Sequence, residues 1–220
     1  MKFGTFPIEM AEGLVLAHSM QIGGPESGGD RRLIKKGRVL TAQEVAELKA
    51  AGRTSVIGAR LEPGDVTEDN AARRVARAMA GSGLKLGDAF TGRVNLFAEA
   101  AGIAVVERDR LLQLNRIDEG LTAATLQPFD RVGAGDMVAT IKIIPFAVPE
   151  AAVAAAERLA SGGLVRLAAF TDKSAGLILT RLPQTKSSVL KKREQVMRDR
   201  LQSAGSRLAE VVVVDNHSPP

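Results

Sequence analysis

Three stretches of this chain carry residue types that could do chemistry. The first is RVGAGDMVATIKIIPF, Arg131 to Phe146, with Gly-Ala-Gly-Asp at its head. Glycine N–H groups at Gly133 and Gly135 could hold a phosphate, and Asp136 could take a proton from a hydroxyl. The second is TRLPQTKSS, Thr180 to Ser188, where hydroxyls and a lysine gather at the end of an apolar run. The third is the Asp215–Asn216 pair that closes the last apolar run.

The residues around each stretch decide what it can do. Gly-Ala-Gly-Asp strings occur in ribokinase-type sugar kinases, where the glycines must lead into a helix whose free N–H groups hold the phosphate. Here Val138, Ile141, Ile143 and Ile144 follow, which favour a strand, and Pro145 ends it. The upstream sequence also lacks the long alternating strand–helix series of such a kinase. The string therefore predicts a turn between strands, with Gly133 and Gly135 at positive φ and Asp136 bonded to nearby backbone. TRLPQTKSS leaves an apolar strand and opens a helix, the position at which an open α/β sheet binds ligands. Thr180, Lys186 and Ser187 are its candidate contacts, although Ser187 or Ser188 would equally serve as a helix cap. Asp215 ends a second strand at the same sheet edge, where a carboxylate beside a phosphate could hold a cation such as Mg2+. No Gly-x-Ser-x-Gly elbow, Walker loop or paired-carboxylate spacing occurs, so no catalytic residue is assigned.

Composition narrows the classes. The chain has 220 residues, 45% of them hydrophobic and 25% charged, which suits a core-forming protein of one large or several small units. It has no cysteine, and its two histidines, His18 and His217, are far apart, which argues against a metal centre. The net charge of +5 is spread along the chain, and the only aromatics are seven phenylalanines. Without a basic patch or a stacking platform, nucleic acid is not the expected partner. Small phosphorylated or carboxylated ligands fit the same charge. Glu9 and Glu12 interrupt the first apolar stretch, and no run of about 18 apolar residues follows. The expectation is a cytoplasmic protein with no membrane partner.

The elements that would position these residues are punctuated clearly. Gln21 to Arg32, QIGGPESGGDRR, reads as a glycine-rich loop. Thr41 and Glu44 form a capping box ahead of a helix that carries Val45 and Leu48, with Gly52 as its stop. TSVIGARL reads as a strand, and TEDNAARRVARAMAGSG as a helix capped by Thr67, its arginines on a solvated face. FTGRVNLFAEAAGIAVV predicts two strands around a turn at Glu99–Gly102; Arg93 and Asn95 in it have no assigned mechanism. A short helix through Leu111, Leu112 and Leu114, two strands, and a helix from Pro149 to Gly162 come next. SAGLILTRL, a helix from Ser187 to Gly205, and LAEVVVVDN then give one βαβ unit. SAGLILTRL is apolar enough to predict burial on both faces. The fold class expected is α+β and multi-lobed. A small αβ lobe spans 1–82 and a β-rich middle lobe spans 83–148. A linker helix and a partial three-layer α/β unit span 149–220. Two parallel strands and one helix cannot bury a sheet, so the last unit should pack on this chain, on another, or open a longer domain.

Several of these strings resemble a known lineage. AEGLVLAHSM and LIKKGRVLTAQEVAELKAAGRTSVIGARLEPGDV are similar to the N-terminal region of molybdopterin molybdotransferases of the MoeA type. FTGRVNLFAEAAG, MVATIKIIPFAVPEAA and SAGLILTRLPQTKSSVLKK resemble a narrower group of bacterial, mainly alphaproteobacterial, molybdopterin-binding proteins. In those a MoeA-like region precedes a MoaB/Mog-type domain. The resemblance implies a role in molybdenum-cofactor biosynthesis or handling, with molybdopterin as cofactor and a pterin phosphate at the strand ends. If the chain is an enzyme, it implies a cofactor-biosynthesis transferase. It carries Thr180, Lys186 and Ser187 into the family's first loop and Asp215 near the end of its second strand. The family's later Gly/Ser/Thr loop has no counterpart here, so a truncated binding domain is expected, completed by the remainder of that domain or within a homo-oligomer. The rival reading is a non-catalytic oligomerisation or interaction module.

Overall fold

The computed structural model describes residues 1–24 and 29–215. The chain is α+β: among the described residues, five helices stand with many strands gathered in several small sheets.

The first of these sheets is antiparallel and runs β1 (Lys2–Pro7), β5 (Ser55–Arg60), β2 (Val15–Leu16), with β5 in the centre. A 3-10 turn at Ile8–Met10 leads out of β1. Between β2 and β5 lie the antiparallel pair β3 (Met20–Gly24) and β4 (Gly29–Ile34), then α1 (Ala42–Ala50). The glycine-rich stretch expected as a loop is therefore largely strand. Ile22 and Ile34, at 5% and 2% exposure, give β3 and β4 a buried anchor, and their pairing satisfies the backbone. Residues 25–28, Asn216 and His217 lie outside the described residues.

The capping box forms as its sequence requires. Glu44 N–H donates to Thr41 Oγ1 at 3.3 Å, and Thr41 N–H returns a bond to Glu44 Oε2 at 3.0 Å. Glu44 is nevertheless buried, and Arg38 Nε donates to its other oxygen. Burial pushes this carboxyl up, but the bonds from Thr41 and Arg38 outweigh it and hold it below the usual range. Leu48 joins Ile8, Leu14, Leu16, Leu40 and Val56 in one buried core.

A second, larger core begins with the short β6 (Asp65–Thr67) and α2 (Glu68–Met79). Thr67 occupies the N-cap position of α2, but its side chain makes no capping bond. Instead Glu68 N–H donates to the Phe146 carbonyl at 2.9 Å. The sheet under α2 has the order β10 (Leu121–Thr125), β12 (Met137–Ile143), β8 (Arg93–Ala98), β7 (Leu84–Leu86). A neighbouring sheet runs β11 (Arg131–Val132), β9 (Gly102–Val106), β14 (Val165–Ala169). The turn at Glu99–Gly102 thus joins two sheets, since β8 and β9 do not pair. Helix α3 (Arg108–Leu114) follows β9; β13 (Ala147–Pro149) pairs β6; and α4 (Glu150–Ala160) packs on α2. Val75 and Met79 of α2, Val153 and Ala156 of α4, and Ile141 and Leu96 of the sheet are all inaccessible to solvent. Arg74 locks the helix pair: its guanidinium reaches Glu150 at 2.6 Å and Glu157 at 2.7 Å. One arginine expected on a solvated face is therefore a structural clamp.

The Gly-Ala-Gly-Asp string links β11 to β12. Gly135 adopts φ +86°, where a side chain would strain the backbone, whereas Gly133 does not adopt a positive φ. Asp136 accepts from Gly133 N–H at 2.7 Å, so its carboxylate closes the turn.

The last unit is β15 (Ser174–Arg181), α5 (Ser187–Ser203) and β16 (Arg207–Asp215), with the strands parallel. It is a two-layer arrangement, because α5 covers one face and nothing among the described residues covers the other. The expectation of a strand buried on both faces is corrected here: Ile178 is 69% exposed and Leu179 is the only buried residue of β15. Apolar sequence makes a strand able to be buried, but another layer has to be present to bury it. No helix among the described residues is long and apolar enough to cross a membrane.

Candidate anion-binding site

The parallel register of β15 and β16 sets Thr180 beside Val214 and Arg181 beside Asp215. Both strands end together, and the chain leaves β15 through Leu182 to Lys186 into α5. In that connection Leu182 N–H donates to Thr185 Oγ1 at 3.1 Å, and Thr185 N–H returns a bond to the Leu182 carbonyl at 2.9 Å. The turn satisfies itself, which leaves the helix end to its own devices.

Lys186 is the N-cap residue of α5, and among the described residues no side chain accepts a bond from the first N–H groups of the helix. Ser187 is the first helical residue, so neither it nor Ser188 caps; that simple alternative for the serines is not what the chain adopts. No acidic residue stands in the first turn. A 17-residue helix thus begins without a side-chain cap among the described residues, with the positive end of its dipole beside an exposed lysine and two exposed hydroxyl groups. Such an end suits a phosphate or carboxylate.

Asp215 is placed at this edge but is not free. Its Oδ1 accepts from Arg181 Nε at 2.8 Å and Nη2 at 2.7 Å. Lys186, Ser187 and Asp215 therefore stand at one end of the βαβ unit together with Arg181, which has no signal of its own in that loop. Thr180 belongs to the same strand end, but two residues from Ile178 its side chain lies on the face that α5 leaves uncovered. The signal for Arg181 is in the pairing: a basic residue ends the first strand and an acidic one ends the second, and parallel pairing sets them side by side. No group of three or more His, Asp or Glu residues among those described could hold a metal ion.

A second polar cluster had no sequence signal. Asp69 accepts from Gly92 N–H at 2.6 Å, and Lys142 Nζ donates to the Thr91 carbonyl. Thr91 sits at φ 47°, a conformation a β-branched residue rarely takes. Gly92 is needed here, since it sits at φ +70° and a Cβ would lie 2.8 Å from the Ile143 carbonyl oxygen. Burial pushes the Glu68 carboxyl above its ordinary range; Lys142 opposes this shift and Asp69 adds to it. The side chains meet only after β8, β12 and α2 have packed, so no local spacing announces them.

A family model described as a domain of unknown function (DUF8806) matches residues 5–60, the span from within β1 to the end of β5. No curated protein and no solved structure matches the chain.

Proposed function

We propose that this chain is a molybdopterin-binding protein of molybdenum-cofactor biosynthesis or handling. The observation that carries the reading is the uncapped start of α5, with Lys186 at its N-cap and Thr180 and Arg181 at the adjoining strand end. A pterin phosphate supplies the anion; the chain supplies helix N–H groups, the Lys186 ammonium and the hydroxyl of Ser187, with Thr180 at the adjoining strand end. Arg181, held by Asp215, stands at the edge of the same end. The family strings support the pterin rather than another phosphorylated ligand. In this reading residues 1–82 are a small αβ, MoeA-like lobe, 83–148 a β-rich lobe, and 149–220 a linker helix with part of a MoaB/Mog-type three-layer domain. The chain acts by binding and positioning the cofactor, and its partner is the pterin phosphate itself.

The full chain, purified from a bacterium that makes the cofactor, should release a fluorescent pterin on oxidative denaturation. Lys186→Ala should lower the yield without changing the far-UV circular dichroism. A wild-type preparation free of pterin would overturn the reading.

A further inference from the structure

We infer that the free edge of β16 pairs antiparallel with β16 of a second copy of this chain, in a register centred on Val211. The inference rests on the strand itself and not on the ligand reading above.

Among the described residues β16 is hydrogen-bonded on one edge only, with β15 as its sole neighbour in the sheet. Natural edge strands are short or carry lysine, proline or a charge that repels further pairing. β16 has nine residues, contains neither lysine nor proline, and runs through four valines in succession, Val211 to Val214. It carries one charge between its ends, Glu210, which faces Val212 rather than a like charge in the register centred on Val211. Val212, Val213 and Val214 are exposed at 39%, 47% and 37%. Side chains alternate along a strand, so Val213 faces away from Val212 and Val214. A layer laid on one face would cover only part of this set. A strand added at the edge gives every one of them a cross-strand neighbour.

The charges select the occupant and the register. β16 begins with Arg207 and ends with Asp215, both exposed. In the antiparallel pair centred on Val211, Arg207 of each copy stands opposite Asp215 of the other, Leu208 opposite Val214, and Ala209 opposite Val213. All nine residues are paired, and both ends set opposite charges together. Sliding the register to let Glu210 oppose Asp215 would set like charges together instead. Asp215 then lies between Arg181 of its own chain and Arg207 of the second copy, an arrangement a carboxylate with two oxygens can accept. The outer edge of β15 lacks these features: Ser174 and Gly176 weaken it as a strand, and only a positive charge, Arg181, stands at one of its ends. The two-fold axis is normal to the sheet, so both α5 helices lie on one face of the joined sheet.

The chain has no cysteine, which makes the register directly readable. Val211→Cys places two thiols opposite each other, about 4.5–5.5 Å apart between Cα atoms, within the span of a disulfide. Val213→Cys sets its two thiols four residues apart, about 13 Å, beyond that span. Light scattering on the full wild-type chain should give the mass of two copies at micromolar concentration. Mild oxidation should then join Val211→Cys into a covalent dimer and leave Val213→Cys unjoined. Arg207→Asp should weaken the dimer by about tenfold, since each exposed pair contributes modestly and the pair occurs twice. A single-copy mass throughout, cross-linking of both cysteine variants at equal rates, or a dimer indifferent to Arg207→Asp would each overturn the inference.

Discussion

The α2–α4 region and the C-terminal βαβ unit are built from similar sequence, and they end in opposite states. β12, MVATIKI, and β15, SAGLILTR, are both apolar and both adjoin a helix. Yet Ile141 and Ile143 of β12 are sealed from solvent, while Ile178 of β15 is 69% exposed. The difference is in the neighbours. β12 has a strand on each side and lies under α2, which is itself backed by α4. β15 has one strand and one helix, and its other edge and face have no partner among the described residues. Apolar content sets how much a segment can gain by burial; the number of layers around it sets how much it does gain.

Three pairs of substitutions would break or sharpen this contrast. The largest effect is expected at the two isoleucines. Ile141→Ala should cost about 2–5 kcal/mol by loss of contacts and the cavity left behind. Ile178→Ala should stay within about 0.5 kcal/mol, as exposed positions usually do. Urea denaturation of both would decide it; equal losses would mean that β15 is covered in solution, which the proposed dimer could supply only in part.

The two helix starts come next. Thr41→Ala removes the side-chain half of a formed capping box, the bond that Thr41 Oγ1 accepts from Glu44 N–H, while the residue 41 N–H can still donate to Glu44. The loss should cost about 1 kcal/mol, with a range of about 0.5–2. Lys186→Ala removes no capping bond and should leave stability unchanged. If instead Lys186→Ala stabilises the fold, the lysine is a cost carried at that helix end, which would strengthen its reading as a ligand contact.

The smallest effect concerns two carboxylates. Glu68 has its proton affinity raised by burial, so its ionised form opposes folding above its folded-state titration and that opposition fades as pH falls through it. Glu68→Gln should therefore raise the melting temperature slightly at pH 8, with the gain disappearing below the ordinary glutamate range. Lys36, Lys142 and Asp69 face the same group and remain in both proteins. Asp215→Asn, at an exposed pair, should change the melting temperature little at either pH. A gain for Glu68→Gln that persists in acid would show that charge is not its cause.

Local chemistry was legible wherever it acts over a few residues. The capping box at Thr41 and Glu44, the turn at Asp136, the helix starting behind Pro149 and the strand–helix–strand order of the last unit all follow from short spacings. The four candidate residues of the last unit do share one end of it, because a parallel βαβ unit returns both strand ends to the same edge. Two readings failed for one reason. Gln21 to Arg32 carries glycine and polar residues yet builds β3 and β4, because Ile22 and Ile34 are anchored in a core assembled from distant segments. Thr67 looks like a cap, but the carbonyl of Phe146 takes over one of the N–H groups at the start of α2.

The sequence by itself determined which segments are helix and which are strand across most of the chain. It also determined that a lysine and hydroxyls would stand where a strand hands over to a helix. Those outcomes depend on propensity, alternation and capping, which act within about one turn or one strand. Only the tertiary structure decided that the strands divide into several small sheets and that Arg74 ties α2 to α4. It alone decided that Glu68 is partly drawn from water, and that Arg181 holds Asp215 while the start of α5 has no side-chain cap among the described residues. Each of these rests on groups far apart in the chain, and their energies exist only once folding has brought them within a few ångströms.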